Sequence, residues 1–387
     1  MKTTLRHIAL ASLLLGATCV IPPLAAADSA KAGKRDSSSA KSSAQAAAEE
    51  IGSTRNAKVA IAMPDKKTEL TFFAGAMSDA EKAEVARVAP NVRIVTGLSN
   101  AEALARAGEA HGVDSRYASL EFLQRAKKLV WVQVMAAGVD RQLTLEPIAK
   151  NDALVLTNFR GVHGPAIADH AMAMLLSLTR DLRHYAANQA EQRWQRVITP
   201  VPLIALDGRT MLVVGIGGIG TEIAQRGHGF GMRVWGTRRS TTPAPAFIER
   251  VGQSKDLLSM LPEADVVAIA VPLTAETENL FNTEAFAAMK PGAYLINIAR
   301  GKVVNTDAMM AALKSGKLAG ACLDVTDPEP LPAGHSLWNF PNVIITPHVA
   351  AQSEVTERRS AILLRENLRR FGVGEPLLNT VDKVAGY

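Results

Sequence analysis

Residue types that could bind a carboxylate and transfer a proton occur at the ends of predicted β-strands. Arg300, Glu329 and His348 each follow a short apolar run that is typical of a buried strand. An arginine can bind a carboxylate through two parallel hydrogen bonds, and a histidine can transfer a proton near neutral pH. A glutamate beside that histidine orients the ring and stabilises its cationic form. Each could alone be a surface charge, a turn residue or a strand-end histidine, but three at successive strand ends favour a catalytic site.

A glycine-rich segment lies upstream of these residues, between a predicted strand and a predicted helix. Gly215, Gly217 and Gly220 have the spacing G-x-G-x-x-G. In dinucleotide-binding folds the first glycine permits the tight turn, the second lets the backbone approach the pyrophosphate, and the third lets the helix pack on the strand. The helix N-terminus offers free N–H groups to the phosphates. A tight structural turn is the alternative, but the flanking strand and helix predict a dinucleotide site.

The end of the next predicted strand carries no acidic residue. An NAD site has an Asp or Glu about 20 residues after the glycines, which accepts a hydrogen bond from the ribose 2′-hydroxyl. Here the strand ends in Gly236-Thr237-Arg238-Arg239-Ser240. Guanidinium groups bind phosphate in bidentate fashion, so Arg238 and Arg239 favour NADP, with NAD as the alternative. The two arginines could also be a solvated charge pair.

The elements that must position these residues form two series of strands. Apolar, β-branched runs separated by helical patterns predict parallel sheets covered on both faces, and two series predict two α/β domains. The predicted strands are Val59–Met63, Val92–Thr96, Leu129–Val134 and Ala153–Thr157, followed by Met211–Ile216, Arg233–Trp235, Asp265–Val271, Tyr294–Ile298, Ala321–Val325 and Val343–Ile345. Predicted helices include Asp79–Val88, Pro165–Thr179 and Ser353–Phe371.

These motifs resemble the D-isomer-specific 2-hydroxyacid dehydrogenase family over nearly all of residues 58–387. The segments that carry the resemblance are VVGIGGIG (Val213–Gly220), VPLTAETENLFN (Val271–Asn282), MKPGAYLINIARGKVVN (Met289–Asn305), LDVTDPEPLP (Leu323–Pro332) and ITPHVA (Ile345–Ala350). The resemblance implies an α/β fold with two Rossmann-like domains and parallel sheets. The catalytic (substrate) domain is then discontinuous, residues 58–160 and 350–387, with an NAD(P)-binding domain inserted at residues 161–349.

The resemblance also implies roles for individual residues. Arg300 would bind the substrate carboxylate, His348 would be the acid/base, and Glu329 would be its partner. The backbone of Ala137 and Gly138 would complete the carboxylate site from the other domain. The other implied positions would contact the cofactor. The Gly218–Ile219 step would lie at the pyrophosphate, Pro272 and Ile298 along the cleft, and Asp324 at the nicotinamide. A homodimer is implied too, with the helix that begins at Pro165 at its contact.

The functional prediction is hydride transfer between NADP(H) and C2 of a small 2-oxo or 2-hydroxy acid of D configuration. The residues Arg238-Arg239-Ser240, after the predicted strand Arg233–Trp235, are similar to the corresponding residues of the glyoxylate/hydroxypyruvate reductase branch of the family. The cofactor supplies the chemistry, and the protein supplies positioning and charge. Because fold does not determine function, the alternative is a catalytically silent nucleotide-sensing or corepressor-like protein on the same fold. Arg300, Glu329 and His348 favour the enzyme, since a sensor does not need them.

The N-terminus has the pattern of a secretory signal peptide. Lys2 and Arg6 precede an apolar run, which is followed by prolines and Ala25-Ala26-Ala27. Residues 1–27 are therefore predicted to be removed, and residues 28–57, rich in Ser, Ala and Lys, are predicted to be a flexible linker. Export to the periplasm or medium conflicts with the need for a reduced cofactor. A cytoplasmic protein, or an uncleaved anchor, is the alternative.

Composition excludes several classes of protein. The 387 residues are 48% hydrophobic and 21% charged, which excludes wholesale disorder. Two cysteines cannot form a disulfide framework or a four-thiolate zinc site, and no H-E-x-x-H or C-x-x-C motif predicts another metal site. The net charge is +6, but seven basic and four acidic residues lie within residues 1–57. Half of the excess is therefore outside the predicted domains, and no nucleic-acid partner is expected.

Overall fold

Parallel strands form the two sheets around which the chain folds. The computed structural model describes residues 43–51, 69–196, 203–240 and 243–386. Its strands are β1 Leu70–Phe73, β2 Val92–Val95, β3 Gly112–Asp114, β4 Trp131–Gln133, β5 Val155–Thr157, β6 Thr210–Val214, β7 Arg233–Thr237, β8 Ile248–Gly252, β9 Val266–Ile269, β10 Ala293–Asn297, β11 Leu318–Leu323 and β12 Val343–Ile345. Its helices are α1 Ser43–Ile51, α2 Asp79–Val88, α3 Asn100–Ala105, α4 Leu120–Arg125, α5 Asp140–Leu143, α6 Glu146–Ala149, α7 Gly164–Thr179, α8 Leu182–Ala190, α9 Gly218–Gly229, α10 Leu257–Met260, α11 Thr283–Ala288, α12 Thr306–Lys314 and α13 Glu354–Val373.

The first sheet has the strand order β2-β1-β3-β4-β5, with every pairing parallel. Strands β1, β3, β4 and β5 are completely buried, as expected of a parallel sheet covered on both faces. Trp131 lies at the centre of one face, with its ring 4.7 Å from Phe72 and 5.1 Å from Phe371, centroid to centroid. Because Phe371 belongs to α13, the C-terminal helix is part of the core of the first sheet.

The second sheet has the order β12-β11-β10-β9-β6-β7-β8, also with every pairing parallel. The chain starts at β6, moves outward to β8, then returns to β9 on the other side of β6 and moves outward to β12. This reversal of strand order produces a crevice at the carboxyl ends of β6 and β9, where open α/β sheets bind ligands. The α/β class with two parallel sheets, predicted from the sequence, is confirmed.

Two long helices carry the chain between the sheets. Helix α7 follows the first sheet and packs against α9 and the strands of the second. Its buried face, which includes Ala168, Ala171 and Leu175, lies in the core of the second sheet. Helix α13 follows the second sheet and returns to the first, where Leu363 and Leu368 are buried. The first and last helices that the model describes, α1 and α13, therefore both pack on the first sheet.

Some strands differ from the sequence-based expectation. The predicted strand Val59–Met63 and the predicted signal peptide, residues 1–27, lie outside the described residues. Strands β1, β3 and β8 were not predicted. Four or fewer residues, as in β1 and β3, are too few to establish a period. Strand β8 lies at the edge of its sheet and exposes three successive residues, so its sequence lacks the apolar run of a buried strand.

The prediction of a flexible linker over residues 28–57 is wrong for part of that segment, because Ser43–Ile51 form helix α1. Its sequence, SAQAAAEEI, is rich in alanine, which has the highest helix propensity. The helix packs against α13, and Ala48 is fully buried in the core of the first sheet. A composition that indicates disorder can therefore belong to a helix when a neighbouring apolar surface is available. Within the part of the chain that the model describes, no helix is both long and apolar enough to cross a membrane.

The variant Ala48→Asp tests the docking of α1. We expect it to lower the free energy of unfolding by about 1–3 kcal/mol, because a carboxylate would replace a buried methyl group. The matched control is Ala46→Asp, since Ala46 is exposed on the same helix. Urea unfolding followed by circular dichroism measures both variants. Equal stabilities would show that α1 contributes nothing to the core.

Candidate active site

The turn after β6 requires glycine at its first and third glycine positions. Gly215 has a φ of +98°, and a Cβ atom there would lie 2.8 Å from the carbonyl oxygen of Ala270. A Cβ atom on Gly220 would lie 2.0 Å from the carbonyl oxygen of Gly215. Both distances are shorter than any real contact, so a larger residue would force the turn and α9 apart. The strand–turn–helix geometry of a dinucleotide site is thus present.

The middle glycine of the motif has open space beside it. A Cβ atom on Gly217 would meet no atom of the described chain within 4 Å. Gly217 is also the N-cap residue of α9. It has no side chain to bond the first N–H groups of this twelve-residue helix, so those groups are available. Gly218 is exposed and Ile219 is half-buried in the first turn. An open surface, unpaired N–H donors and the positive end of a helix dipole fit a pyrophosphate.

The end of β7 carries the two arginines predicted to bind a 2′-phosphate. Thr237 is buried and accepts hydrogen bonds from the Gly215 N–H through its carbonyl oxygen at 3.1 Å and its hydroxyl at 3.3 Å. This contact fixes the end of β7 beside the glycine turn. Arg238 donates from Nε to Ser240 Oγ at 3.0 Å, and Arg239 is exposed. The cluster is cationic and lies where the ribose of a bound dinucleotide would come.

A loop after β9 faces the same cluster. The pKa of Glu276 is lowered, chiefly by a hydrogen bond from the Thr274 hydroxyl, with a smaller contribution from the charge of Arg239. Pro272 is exposed in this loop, and its carbonyl oxygen accepts a hydrogen bond from Thr277 Oγ1 at 2.6 Å. Ile298, which the resemblance places along the cofactor cleft, follows β10 directly and has 7% of its surface exposed.

Arg300 lies where the two sheets approach each other. Its Nε and Nη2 atoms both lie 3.1 Å from Oδ1 of Asp140, and Nη1 donates to the carbonyl oxygen of Ala299 at 2.7 Å. Asp140 follows β4 of the first sheet, whereas Arg300 follows β10 of the second. A Cβ atom on Gly138 would lie 1.8 Å from Nη2 of Arg300, so only glycine permits this approach.

The backbone beside Arg300 offers further donors. Asn158 donates from its side chain to the carbonyl oxygen of Ala137 at 2.8 Å, which fixes the orientation of that peptide. Among the described residues, the N–H groups of Ala137 and Gly138 donate no hydrogen bond. Ala137, Gly138 and Arg300, which the resemblance assigns to the substrate carboxylate, together offer N–H donors that can bind an anion.

His348 and Glu329 form a hydrogen-bonded pair. The distance between His348 Nδ1 and Glu329 Oε1 is 2.7 Å, with 47% of the histidine side chain and 42% of the glutamate side chain exposed. Through this contact Glu329 fixes the ring and leaves Nε2 as the nitrogen that can exchange a proton with a ligand. The sequence-predicted pairing of these two residues is therefore present in the structure.

The loops around this pair are held by short contacts. The Thr326 hydroxyl donates to the carbonyl oxygen of Pro328 at 2.8 Å, and the Thr306 hydroxyl donates to that of Asp327 at 3.0 Å. A Cβ atom on Gly301 would lie 1.9 Å from the carbonyl oxygen of Thr326. The turn after Arg300 thus packs directly against the loop that carries Glu329.

Asp324, which the resemblance places at the nicotinamide, is held by contacts within the chain. It is 3% exposed, and both of its oxygens accept hydrogen bonds. Oδ1 accepts from the Thr346 hydroxyl at 2.6 Å and from the Val349 N–H at 2.9 Å, and Oδ2 accepts from the Ala350 N–H at 3.1 Å. The Asp324 carbonyl oxygen also accepts from the His348 N–H at 2.9 Å. Asp324 therefore shapes the loop that carries His348.

Four side chains at the site were not singled out from the sequence. His170 Nε2 lies 2.9 Å from the Thr346 hydroxyl and so joins the Asp324 contacts. Asn297 is buried and donates to the Arg300 carbonyl oxygen at 3.0 Å, while Asp140 pairs with Arg300 itself. His170 and Asp140 are distant in sequence from their partners, so no spacing reveals them. Thr346 and Asn297 lie within the quoted motifs and could have been found there.

Two titratable groups are too buried to take part. Burial lowers the pKa of His163 to about 4, so its imidazole is neutral where it precedes α7. Burial raises the pKa of the Cys322 thiol, which stays protonated within β11. No group of three or more His, Cys, Asp or Glu side chains arranged to hold a metal ion occurs in the ranges the model describes.

Comparison with known proteins agrees with this geometry. Residues 172–350 match the family model described as "D-isomer specific 2-hydroxyacid dehydrogenase, NAD binding domain". The chain is 36% identical over 268 residues to a glyoxylate reductase of Korarchaeum cryptofilum, which covers 68% of this chain and 79% of that protein.

Solved structures are similar along the whole of their own chains. A D-isomer specific 2-hydroxyacid dehydrogenase family protein from Aeromonas salmonicida has 35% identity and a TM-score of 0.71, covering 82% of this chain and 100% of that one. An NADPH-dependent glyoxylate/hydroxypyruvate reductase from Sinorhizobium meliloti, in complex with NADP and sulfate, has 28% identity and a TM-score of 0.67, covering 83% and 100%. The chain therefore belongs to the D-isomer specific 2-hydroxyacid dehydrogenase family, enzymes that act on the CH–OH group of donors with NAD(P).

Proposed function

We propose that this protein is an NADPH-dependent reductase that converts a small 2-oxo acid, of the glyoxylate or hydroxypyruvate type, into the D-2-hydroxy acid. The observation that carries the proposal is the pairing of His348 with Glu329 on the same sheet edge as Arg300. The glyoxylate reductases among its relatives and the NADPH-dependent reductase among its structural neighbours support the substrate class. A nucleotide sensor would not need this arrangement.

Substrate binding is assigned to Arg300 and the backbone of the loop after β4. Two of the five N–H groups of Arg300 donate hydrogen bonds, Nε to Asp140 and Nη1 to Ala299, while Nη2 forms an ion pair with Asp140, so each Nη atom keeps at least one N–H that is not hydrogen-bonded. Two such donors match the two oxygens of a carboxylate. The N–H groups of Ala137 and Gly138 complete the site from the first sheet. The keto group of a short 2-oxo acid held in this way by its carboxylate would be directed toward His348.

Proton transfer is assigned to His348. Reduction of a ketone or aldehyde to an alcohol needs one proton on the oxygen, and imidazolium is a suitable donor near neutral pH. Glu329 accepts the Nδ1–H at 2.7 Å and stabilises the cationic ring. The backbone hydrogen bond from the His348 N–H to Asp324 fixes the Cα position of the donor. His348 gives its Nε2 proton to the oxygen as C2 is reduced, and takes one up in the reverse reaction.

The dinucleotide is assigned to the crevice between β6 and β9. Gly215, Gly217 and Gly220 with the Gly218–Ile219 step would hold the pyrophosphate, and Arg238 with Arg239 would hold the 2′-phosphate. When bound, the reduced nicotinamide supplies the hydride. Asp324 would act on the nicotinamide side only through the loop that it shapes.

The variant His348→Gln tests the enzyme against the sensor. We expect kcat with glyoxylate or hydroxypyruvate to fall by about 10²–10⁴-fold, because the proton donor is lost, while NADPH affinity is unchanged. The control is His228→Gln, because His228 is exposed at the far end of α9. Steady-state kinetics and NADPH fluorescence measure the two quantities. Wild-type protein that binds NADPH but reduces no 2-oxo acid would favour the catalytically silent sensor.

The variant Arg238→Asp tests the choice of cofactor. We expect the ratio of kcat/KM for NADPH to that for NADH to fall by about tenfold or more, because the variant exchanges a phosphate-binding charge for a repelling one. Arg233→Asp is the matched control, since Arg233 lies at the opposite end of the same strand and is exposed. An unchanged ratio would assign the 2′-phosphate elsewhere.

We retain the homodimer as part of the proposal. Ala173 of α7 is exposed, whereas Asp169, also exposed, pairs with Arg226 of α9. Leu182 of α8 is 51% exposed and Trp194 is 99% exposed in the segment that follows. A homodimer contact on α7 and α8 would remove these apolar side chains from water. The contact of a dimer would therefore extend from α7 to α8 and Trp194.

Export is the remaining part of the proposal, with a cytoplasmic location as the alternative. Residues 1–27 have the charge and apolar pattern of a signal peptide, so we expect a mature chain that begins at Asp28 in the periplasm or medium. Cell fractionation with N-terminal sequencing measures the location and the cleavage. An intact Met1 on cytosolic protein would contradict export and remove the conflict with the cofactor supply.

A further inference from the structure

The guanidinium of Arg300 is held in one orientation by a carboxylate from the other sheet. Asp140 Oδ1 lies 3.1 Å from both Nε and Nη2 of Arg300. Ala299 fixes the third nitrogen through its carbonyl oxygen at 2.7 Å. About a quarter of each charged side chain is exposed, 27% for Arg300 and 28% for Asp140, so the pair is partly shielded from water. A charge-assisted contact of this kind is stronger than an exposed ion pair.

We propose that Asp140 is the positioning residue of the substrate-carboxylate site, an inference that rests on the proposed function. Asp140 binds the side of the guanidinium that includes Nε. A competing internal carboxylate would instead bind the Nη1–Nη2 edge, where two parallel bonds are available. Each of these two nitrogens keeps at least one N–H, and these are left for the substrate. Asp140 therefore orients Arg300 for a ligand and does not take the ligand's place.

The same contact joins the two halves of the anion site. Asp140 lies two residues after Gly138, whose missing side chain lets Nη2 of Arg300 approach the backbone. The N–H groups of Ala137 and Gly138 and the free edge of Arg300 thus belong to one rigid unit that spans both sheets. Without Asp140, Arg300 keeps only its contact with Ala299, on its own strand end, and has no contact that relates it to the loop after β4.

Positioning of this kind has a kinetic signature. Arg300 binds the substrate carboxylate equally in the ground state and in the transition state, because the carboxylate does not react. Loss of its orientation removes uniform binding, which raises KM and leaves kcat nearly unchanged. A residue that served only the fold would change stability and cofactor affinity as well. A residue that merely repelled anions would have the opposite effect, and its removal would lower KM.

The test uses oxamate, a 2-oxo-acid analogue that cannot be reduced at its amide carbonyl, with the full chain loaded with NADPH. For Asp140→Asn we expect the Kd of oxamate and the KM of glyoxylate to rise about tenfold or more, with kcat changed less than about threefold. Gly138→Ala should have the same effect on oxamate without a change of charge, because its Cβ would displace Nη2 of Arg300. The control is Asp152→Asn, because Asp152 is exposed in the connection that precedes β5 of the same sheet.

Thermal unfolding and NADPH affinity accompany each variant; Asp140→Asn should remain folded at the assay temperature and keep the wild-type NADPH affinity. An oxamate Kd that is unchanged or tighter in Asp140→Asn would overturn the positioning role, whatever the turnover. Oxamate binding that depends on Asp140 in a wild-type protein without turnover would support the positioning role and refute the reductase. Wild-type protein that neither binds oxamate nor reduces a 2-oxo acid would refute both, whereas turnover with a KM that does not depend on Asp140 would refute only the positioning role.

Discussion

The register of the seven-stranded sheet is the constraint on which the site depends. Asn297 of β10 pairs with Leu323 of β11, and Leu323 pairs with Ile345 of β12, so three strands end at one level. The residues that follow these ends therefore lie at the same edge of the sheet. Arg300, Glu329 and His348 come from three separate segments, and no local contact could bring them together without this register. The shift recorded between Ala293 and Tyr294 lies at the opposite end of β10 and leaves the carboxyl edge aligned.

The buried carboxylate of Asp324 fixes the position of His348 at this edge of the sheet. Asp324 is almost completely enclosed, and burying an uncompensated charge costs several kcal/mol. The Thr346 hydroxyl and the N–H groups of Val349 and Ala350 satisfy it, so the loop has to adopt the one conformation that presents all three. His348 has a φ of +54° in this conformation, which is uncommon for a residue with a side chain. The strain is tolerated because the Asp324 contacts over-determine the loop.

The features that depend on a local pattern could be predicted from the sequence. Helix α2 and the strand–turn–helix at Gly215 follow from period and glycine spacing, and the pairing of Glu329 with His348 was expected from chemistry and resemblance. Helix α1 could not be predicted, because its stability comes from α13, some 300 residues later. The Arg300–Asp140 contact depends on how the two sheets approach, which no spacing within either sheet encodes. The contacts of Asp324 with the loop that carries His348 could not be predicted for a related reason, because burial, which no local pattern shows, decides whether a carboxylate is bonded within the chain.

Charge balance determines how the site can select an anion. Asp140 offsets the charge of Arg300, and Glu329 beside His348 is a second carboxylate at the same end of the sheet, so net charge does little to attract an anion. The geometry of the donors therefore has to carry the selection. The oriented Nη atoms of Arg300 and the backbone N–H groups of Ala137 and Gly138 match the two oxygens of a planar carboxylate. The contact that offsets the charge of Arg300 is thus the same contact that makes it selective.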